Sequence, residues 1–345
     1  MVVSLYDTRT LGRVVDSLPR PHAFLLERFF PGVINFQTKK IDFDLVTKGR
    51  KLAPFVSPMA QGKIMKNRGH TTQTFEPAYL KPKHIVDPDA PFIRMPGESY
   101  GAGDMSPDQR RDAAIANILS DQDDSIVRRL EWMAAEALMN GAVTVAGDDY
   151  PTQVVDFGRD AALGITLAGL AAWGQAGVSP LDNLETWAGL VSDKSGGAVT
   201  DVIFTAGSWN FARQDQKLLD RLDNRRQLSG AVELGPTVIA PKARSARNLG
   251  TIGDLELWLY NDVYEDDAGV TQKMLADNTV LLAGADIEGV QTYGAIQDAH
   301  AGYQATSRFH KNWITDDPSV ENVMTQSAPL VVPTRPNASF RAIVA

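Results

Sequence analysis

Five histidines are the first residues to test for chemistry: His22, His70, His84, His300 and His310. A helical metal site needs ligands at i,i+4, where both side chains share one face. None of the five meets a second ligand at that spacing, so each reads as a hydrogen-bonding or surface residue. Cysteine is absent, which excludes disulfides, thiol nucleophiles and Cys-based metal sites. The carboxylate pair Asp148-Asp149 lies in Gly147-Asp148-Asp149-Tyr150-Pro151, a turn composition rather than a metal pair. Tyr100-Gly101-Ala102-Gly103-Asp104 lacks the third glycine of a dinucleotide loop. G-x-S-x-G, H-E-x-x-H and Walker-type sequences do not occur. The expectation is therefore a chain with no catalytic set, no cofactor and no metal.

The chain of 345 residues is 43% hydrophobic and 22% charged, values of a globular protein with room for two or three compact units. No apolar run reaches the ~18 residues of a membrane span. The net charge of −8 is unevenly spread. Residues 1–100 hold 15 Lys+Arg against 9 Asp+Glu, a balance of +6. The remainder holds 19 against 33, a balance of −14. A basic portion joined to an acidic one suits either nucleic-acid binding or pairing between subunits. The basic part lacks a dense Lys/Arg run, which favours pairing.

The stretch from Ser106 to Gly141 must position the rest. Ser106 is an N-cap, Pro107 fits the first turn, Gln109 closes a capping box, and Gly141 can take the left-handed position that ends a helix. Ile115, Ile118, Leu119, Ile126, Leu130, Met133, Ala137 and Leu138 recur at steps of three and four, with Gln122 filling a gap. Asp112, Asp121, Asp124, Arg128 and Glu131 fall largely off that stripe, and Asp124 with Arg128 has i,i+4 spacing. Sustained heptads are absent, so the helix is expected to lie across a sheet rather than form a coiled coil.

Residues 1–56 read as an extended arm. Leu18-Pro19-Arg20-Pro21 blocks regular structure, and His22 to Phe30 forms one or two amphipathic turns. Phe24, Leu25, Phe29 and Phe30 need a surface, on another part of the chain or on another chain. Residues 57–98, punctuated by six prolines, read as a long hairpin too poor in large apolar residues to build its own core. Beyond the long helix, Ala142–Ala146 and Thr152–Phe157 are strand-like, and Trp173 anchors a Gly/Ala-rich connection. A helix is expected from Ser179 to about Val191, a buried strand at Asp201–Thr205, and a second amphipathic helix from Ser208 to about Leu222. Further strands fall at Thr251–Tyr260, Val280–Ala283, Val290–Ile296, Val320–Thr325 and Ser339–Val344, with a turn at Glu265–Gly269.

The run Phe55-Val56-Ser57-Pro58, then Gly62 and Arg68-Gly69, then Phe75-Glu76-Pro77-Ala78-Tyr79-Leu80-Lys81-Pro82-Lys83-His84, resembles the major capsid proteins of the lambda-like phages. The resemblance resumes at Asp277-Asn278-Thr279, Thr292 to Ala299, Lys311-Asn312-Trp313 and Gln326 to Leu330. It implies an α+β chain of the Hong Kong 97 type of phage capsid fold. The implied order is an N-terminal arm (1–56), an extended E-loop (57–98), a spine helix with the first part of a peripheral P domain (99–178), an axial A domain (179–300) and a return to the P domain (301–345). It also implies a structural subunit forming hexamers and pentamers of an icosahedral shell around double-stranded DNA.

The expected partners are copies of the chain, a portal, a scaffold protein, a decoration protein and packaged DNA, with no membrane. The expected location is the virion, after assembly in the host cytoplasm. No long helical segment precedes the arm, which points to a separate scaffold. Some relatives of the fold join an E-loop lysine to a neighbour's asparagine, which would involve Lys63 or Lys66 with Asn322 or Asn337; the lambda-like branch relies instead on a decoration protein. Expected contacts between subunits are Phe24, Phe29 and Phe30 of the arm, and Lys48, Arg50, Lys51, Lys63, Lys66 and Arg68 opposite Asp121, Asp123, Asp124 and Glu131. The alternatives are a cellular encapsulin-like compartment shell, an α/β enzyme centred on residues 180–300, and a nucleic-acid binder led by the basic portion.

Overall fold

The computed structural model describes residues 10–12, 22–38, 40–47, 52–53, 55–56, 58–59, 61, 69–75, 77–89, 92–93, 105–147, 150–222, 225–228, 231–234, 245–266, 268–317 and 319–345. Its longest element is the helix Pro107–Asn140. Ser106 Oγ accepts from the Gln109 amide, and the Gln109 side chain accepts from the Ser106 amide, closing the capping box. At the other end Gly141 takes φ +64°, and its amide donates to Ala137 O. A Cβ there would lie 2.6 Å from Arg159 Cβ, so glycine is required twice over. Arg159 donates to Leu138 O and Met139 O, each at 2.6 Å, placing a cation on the helix's negative end.

A six-stranded sheet forms the second large element. Its order is Ala246–Ile252, Leu255–Tyr260, Asp201–Phe204, Thr279–Ala283, Phe340–Ile343 and Gly164–Thr166. Strand alternation sends side chains to both faces. Ile203, Leu281, Trp258 and Tyr260 join the core shared with the long helix. Val202, Phe204, Val280, Leu282, Leu257 and Phe340 join a second core with Trp173 and Trp187 under the helix Pro180–Ser195. Trp173 stacks on Trp187 at 6.0 Å, which makes it the anchor expected of it.

Two three-stranded sheets border the long helix. In one, Gly32–Asn35 runs parallel to Gly289–Tyr293, which pairs antiparallel with Pro329–Pro333. In the other, Phe309–Asp316, Ser319–Gln326 and Lys83–Ile85 are antiparallel neighbours. The long helix packs across strands of both and against the hairpin Ala142–Gly147/Tyr150–Asp156, so it is a sheet-covering helix.

Three local expectations differ. The strand expected at Ser339–Val344 in the returning peripheral unit is found as Phe340–Ile343 in the six-stranded sheet, between Thr279–Ala283 and Gly164–Thr166. Its buried Phe340 faces Trp187 at 5.2 Å, an aromatic contact with no counterpart in the sequence spacing. The helix expected over Ser208–Leu222 is two helices, Ala206–Ala212 and Gln216–Arg221, because Asp215 accepts from Lys217 N and from Leu181 N and so starts a new helix. The run Thr251–Tyr260 is split by a turn at Gly253-Asp254 into two antiparallel strands.

Candidate functional site

The arm is an element that depends on the rest of the chain for its shape. Its helix Phe24–Phe29 spans six residues, far too few to be stable alone, and Ala23 gives its first amides no side-chain cap. The cap comes from 105 residues away. Glu131, buried in the last third of the long helix, accepts from Leu25 N and Leu26 N, both at 2.9 Å, and from Tyr260 Oη at 2.8 Å. A carboxylate at a helix N-terminus meets both the free amides and the positive end of the helix dipole. Burial pushes the Glu131 carboxyl up to about 7, against the pull of the three donors.

The far end of the arm helix is tied to the central sheet. Arg28 donates to Asp201 at 2.8 Å and to Glu256 at 2.6 Å, and lies 5.0 Å from the Trp258 ring centroid. Asp201, itself buried, also accepts from Trp258 Nε1 at 3.0 Å. Phe24 packs on Trp258 and Tyr260, with centroids 4.9 and 6.0 Å away. Beyond the helix, Gly289 passes so close to the arm that a Cβ would lie 2.3 Å from Phe29 O and from Phe30 Cδ1.

The first half of the long helix is fastened by polar groups. Gln122 fills its gap in the apolar stripe by bonding: Nε2 donates to Val323 O at 2.9 Å and lies 3.1 Å from His84 Nδ1, while Oε1 accepts from Thr325 Oγ1 at 2.6 Å. Arg111 forks onto Glu321 at 2.9 and 3.0 Å. Asp123 faces Arg308 Nη1 at 2.6 Å. The Gln122 and Arg111 bonds hold the strands Lys83–Ile85 and Ser319–Gln326 against the helix, and Asp123 holds Arg308, just before the strand Phe309–Asp316.

The residues expected to join subunits therefore divide. Phe24, Phe29 and Phe30 are buried within their own subunit, as is Glu131. That corrects their reading as contacts between copies: the surface that covers the arm helix belongs to the same chain. Asp123 is corrected likewise, since Arg308 of the same chain takes it. Asp121 is exposed and Asp124 half-buried; burial and then the neighbouring Asp121 push the Asp124 carboxyl upward. Arg128 donates to Val263 O at 2.6 Å and lies 3.6 Å from Asp262. Lys48, Arg50, Lys51, Lys63, Lys66 and Arg68 lie outside the described residues.

A different group of residues is exposed. Ile41–Thr47 pairs antiparallel with Gly69–Phe75, from Ile41 opposite Phe75 to Thr47 opposite Gly69. This ribbon begins inside the stretch read as arm and its second strand ends at Phe75, so the paired hairpin spans 41–75 rather than 57–98, and Lys83–Ile85 pairs instead with Ser319–Gln326. Between its strands, Leu52, Phe55 and Met59 are 94%, 106% and 98% exposed. Charge drew the sequence reading to the lysines and arginines of this segment, while its scattered apolar residues gave no periodic signal. Among the described residues no group of three His, Asp or Glu side chains is placed to hold a metal ion, and no helix is long and apolar enough to cross a membrane.

Residues 7–344 match the family described as phage major capsid protein E. The chain belongs to that family. It is 31% identical to the major capsid protein of Escherichia phage lambda over 97% of this chain and 98% of that one. To the major capsid protein of Enterobacteria phage P21 it is 31% identical over 96% of each. Among solved structures it is similar to the putative capsid protein of an Escherichia coli CFT073 prophage, at 25% identity and a TM-score of 0.79 over 99% of this chain and 100% of that one. The capsid of Ralstonia phage GP4 shares the fold at 14% identity, with a TM-score of 0.52 over 95% and 93%. The chain is a phage major capsid protein with the α+β Hong Kong 97 fold, as the lambda-like strings implied.

Proposed function

We propose that this chain closes an icosahedral shell from hexamers and pentamers of itself, around double-stranded DNA. One observation carries the reading at the level of residues. Leu52, Phe55 and Met59 stand almost wholly exposed in the segment that joins the two strands of the ribbon. Isolated surface leucines are ordinary, but three large exposed apolar side chains within eight residues call for a covering surface. A neighbouring copy supplies it, and closed symmetry repeats the contact at every subunit. Each contact can then be modest, because many act together in one particle.

The basic residues Lys48, Arg50, Lys51, Lys63, Lys66 and Arg68 would meet Asp121 and Asp124 of an adjacent copy, joining the +6 portion of one chain to the −14 portion of another. The acidic balance also suits a DNA container, since a strongly cationic lining would bind DNA through released counterions. Portal, scaffold and decoration proteins complete the particle, assembled in the host cytoplasm and residing in the virion. The role is structural rather than enzymatic. The named relatives are phage head proteins, which favours a DNA head over a cellular compartment.

The test is reversal of the six basic residues to glutamate, followed by electron microscopy and circular dichroism. A folded subunit that no longer forms shells supports the proposal. Normal shells from the reversed chain contradict the charge pairing.

A further inference from the structure

Two arginines meet where the long helix ends beside the edge of the six-stranded sheet. Arg341 stands opposite Gly164 in the parallel pairing of Phe340–Ile343 with the edge strand Gly164–Thr166. Arg159 precedes that strand and donates to Leu138 O and Met139 O at the helix end. The Nη2 atoms of Arg159 and Arg341 lie 3.7 and 3.8 Å from the point that a Cβ on Gly164 would take. All three residues are half-buried, so a small solute can reach them. We propose that Arg159 and Arg341, on either side of Gly164, form a binding site for one compact oxyanion of the inorganic phosphate type.

Charge is the first reason. Among the described residues neither guanidinium forms an ion pair, and the two carboxylates of this corner are engaged elsewhere. Glu136 accepts from Asn140 Nδ2 at 2.6 Å, and Asp160 pairs with Lys194 at 2.6 Å. Two like charges held together and partly out of water repel each other, and an anion between them removes that cost. The fork of Arg341 is the second reason. Its Nη1 donates to Asn140 Oδ1 at 3.2 Å, while its Nε is buried with no hydrogen-bond partner among the described residues. Nε and Nη2 form one edge of the guanidinium, the edge that meets two oxygens of a carboxylate or phosphate.

Gly164 is the third. Its φ of −128° suits any residue, and a Cβ would meet nothing closer than 3.7 Å. A glycine that the backbone does not require marks a place where another group approaches closely. The remaining neighbour of that point, Ala161 O at 3.9 Å, already accepts from the Gly164 amide. Glu136 and Asp160 would repel the repeated charges of a nucleic acid, which favours a free ion.

Titration of sodium phosphate into the full-length chain, by calorimetry and by thermal unfolding, tests the site. One phosphate should bind per subunit and raise the unfolding midpoint above that in sodium chloride of equal ionic strength. Phosphate also strengthens apolar burial in any protein, so the variants decide. Gly164→Ala sets a methyl between the two guanidiniums without strain. It should keep or raise the midpoint in phosphate-free buffer, yet bind phosphate roughly tenfold more weakly. Arg341→Met should retain only the general effect of the salt. An identical response to phosphate in the wild type and in either variant overturns the proposal. Tighter binding of a short DNA duplex than of phosphate, lost in the same variants, overturns the assignment to a free ion. If Arg341→Met does not fold, Gly164→Ala decides alone.

Discussion

Two stretches of the basic first hundred residues carry exposed-looking apolar side chains, and the fold treats them in opposite ways. His22–Phe30 is folded down onto its own subunit; Leu52–Met59 is left outside. The difference lies in the partners each can reach. The arm helix finds a carboxylate for its first amides in Glu131, and a buried aspartate with a tryptophan face for Arg28. Its four apolar side chains Phe24, Leu25, Leu26 and Phe29 then close over the long helix and the sheet. The loop has no such ties among its described residues, and its apolar side chains stay in solvent. One segment is therefore part of the subunit's stability, and we propose that the other serves assembly.

The comparison breaks most visibly at Phe29. Phe29→Ala should cost about 3–5 kcal/mol of subunit stability, the usual price of emptying a large core site, read by denaturant titration. Phe55→Ser should leave subunit stability within about 0.5 kcal/mol, yet abolish closed particles in the electron microscope. If Phe55→Ser unfolds the subunit, the loop is not the free element described.

Arg28→Met comes next. It should cost about 2 kcal/mol in thermal or chemical unfolding, because among the described residues Asp201 then keeps Thr200 and Trp258 as donors for a buried charge. Gly289→Ala should destabilise the arm selectively, since its methyl would overlap Phe29 O and the Phe30 ring. Proteolysis near the arm should then speed up while the Thr279–Ala283 amides keep their protection.

The smallest effect is a pH response. Burial alone would raise the Asp298 carboxyl, but His300 N, Lys311 and Gln326 outweigh it and hold it at about 2. A lowered carboxyl stabilises above its unfolded value near 3.8 and loses that contribution as pH falls through about 2. Asp298→Asn should therefore lose a little stability at pH 6 and show a shallower acid decline.

The long helix was legible because everything that defines it is local: a capping box, a proline at its start, a terminal glycine and a stripe at helical spacing. Gln122 showed as a gap in that stripe, though its three partners on Lys83–Ile85 and Ser319–Gln326 are some 40 to 200 residues away and left no local mark. Glu131 was misplaced for the same reason. Helical spacing put it off the apolar stripe, and only the arrival of Leu25, Leu26 and Tyr260 makes that face an interior. Phe340–Ile343 read as a strand, but nothing within the strand says which sheet receives it. Local signals gave the elements; the lambda-like strings gave their order; the pairings that cross more than a hundred residues came from the fold alone.

Hydroxyl-radical footprinting of assembled and dissociated protein tests the central claim most directly. Phe55 and Met59 should be strongly protected in particles and reactive in free subunits, while Phe29 stays protected in both. Equal reactivity of Phe55 and Met59 in the two states would contradict the account.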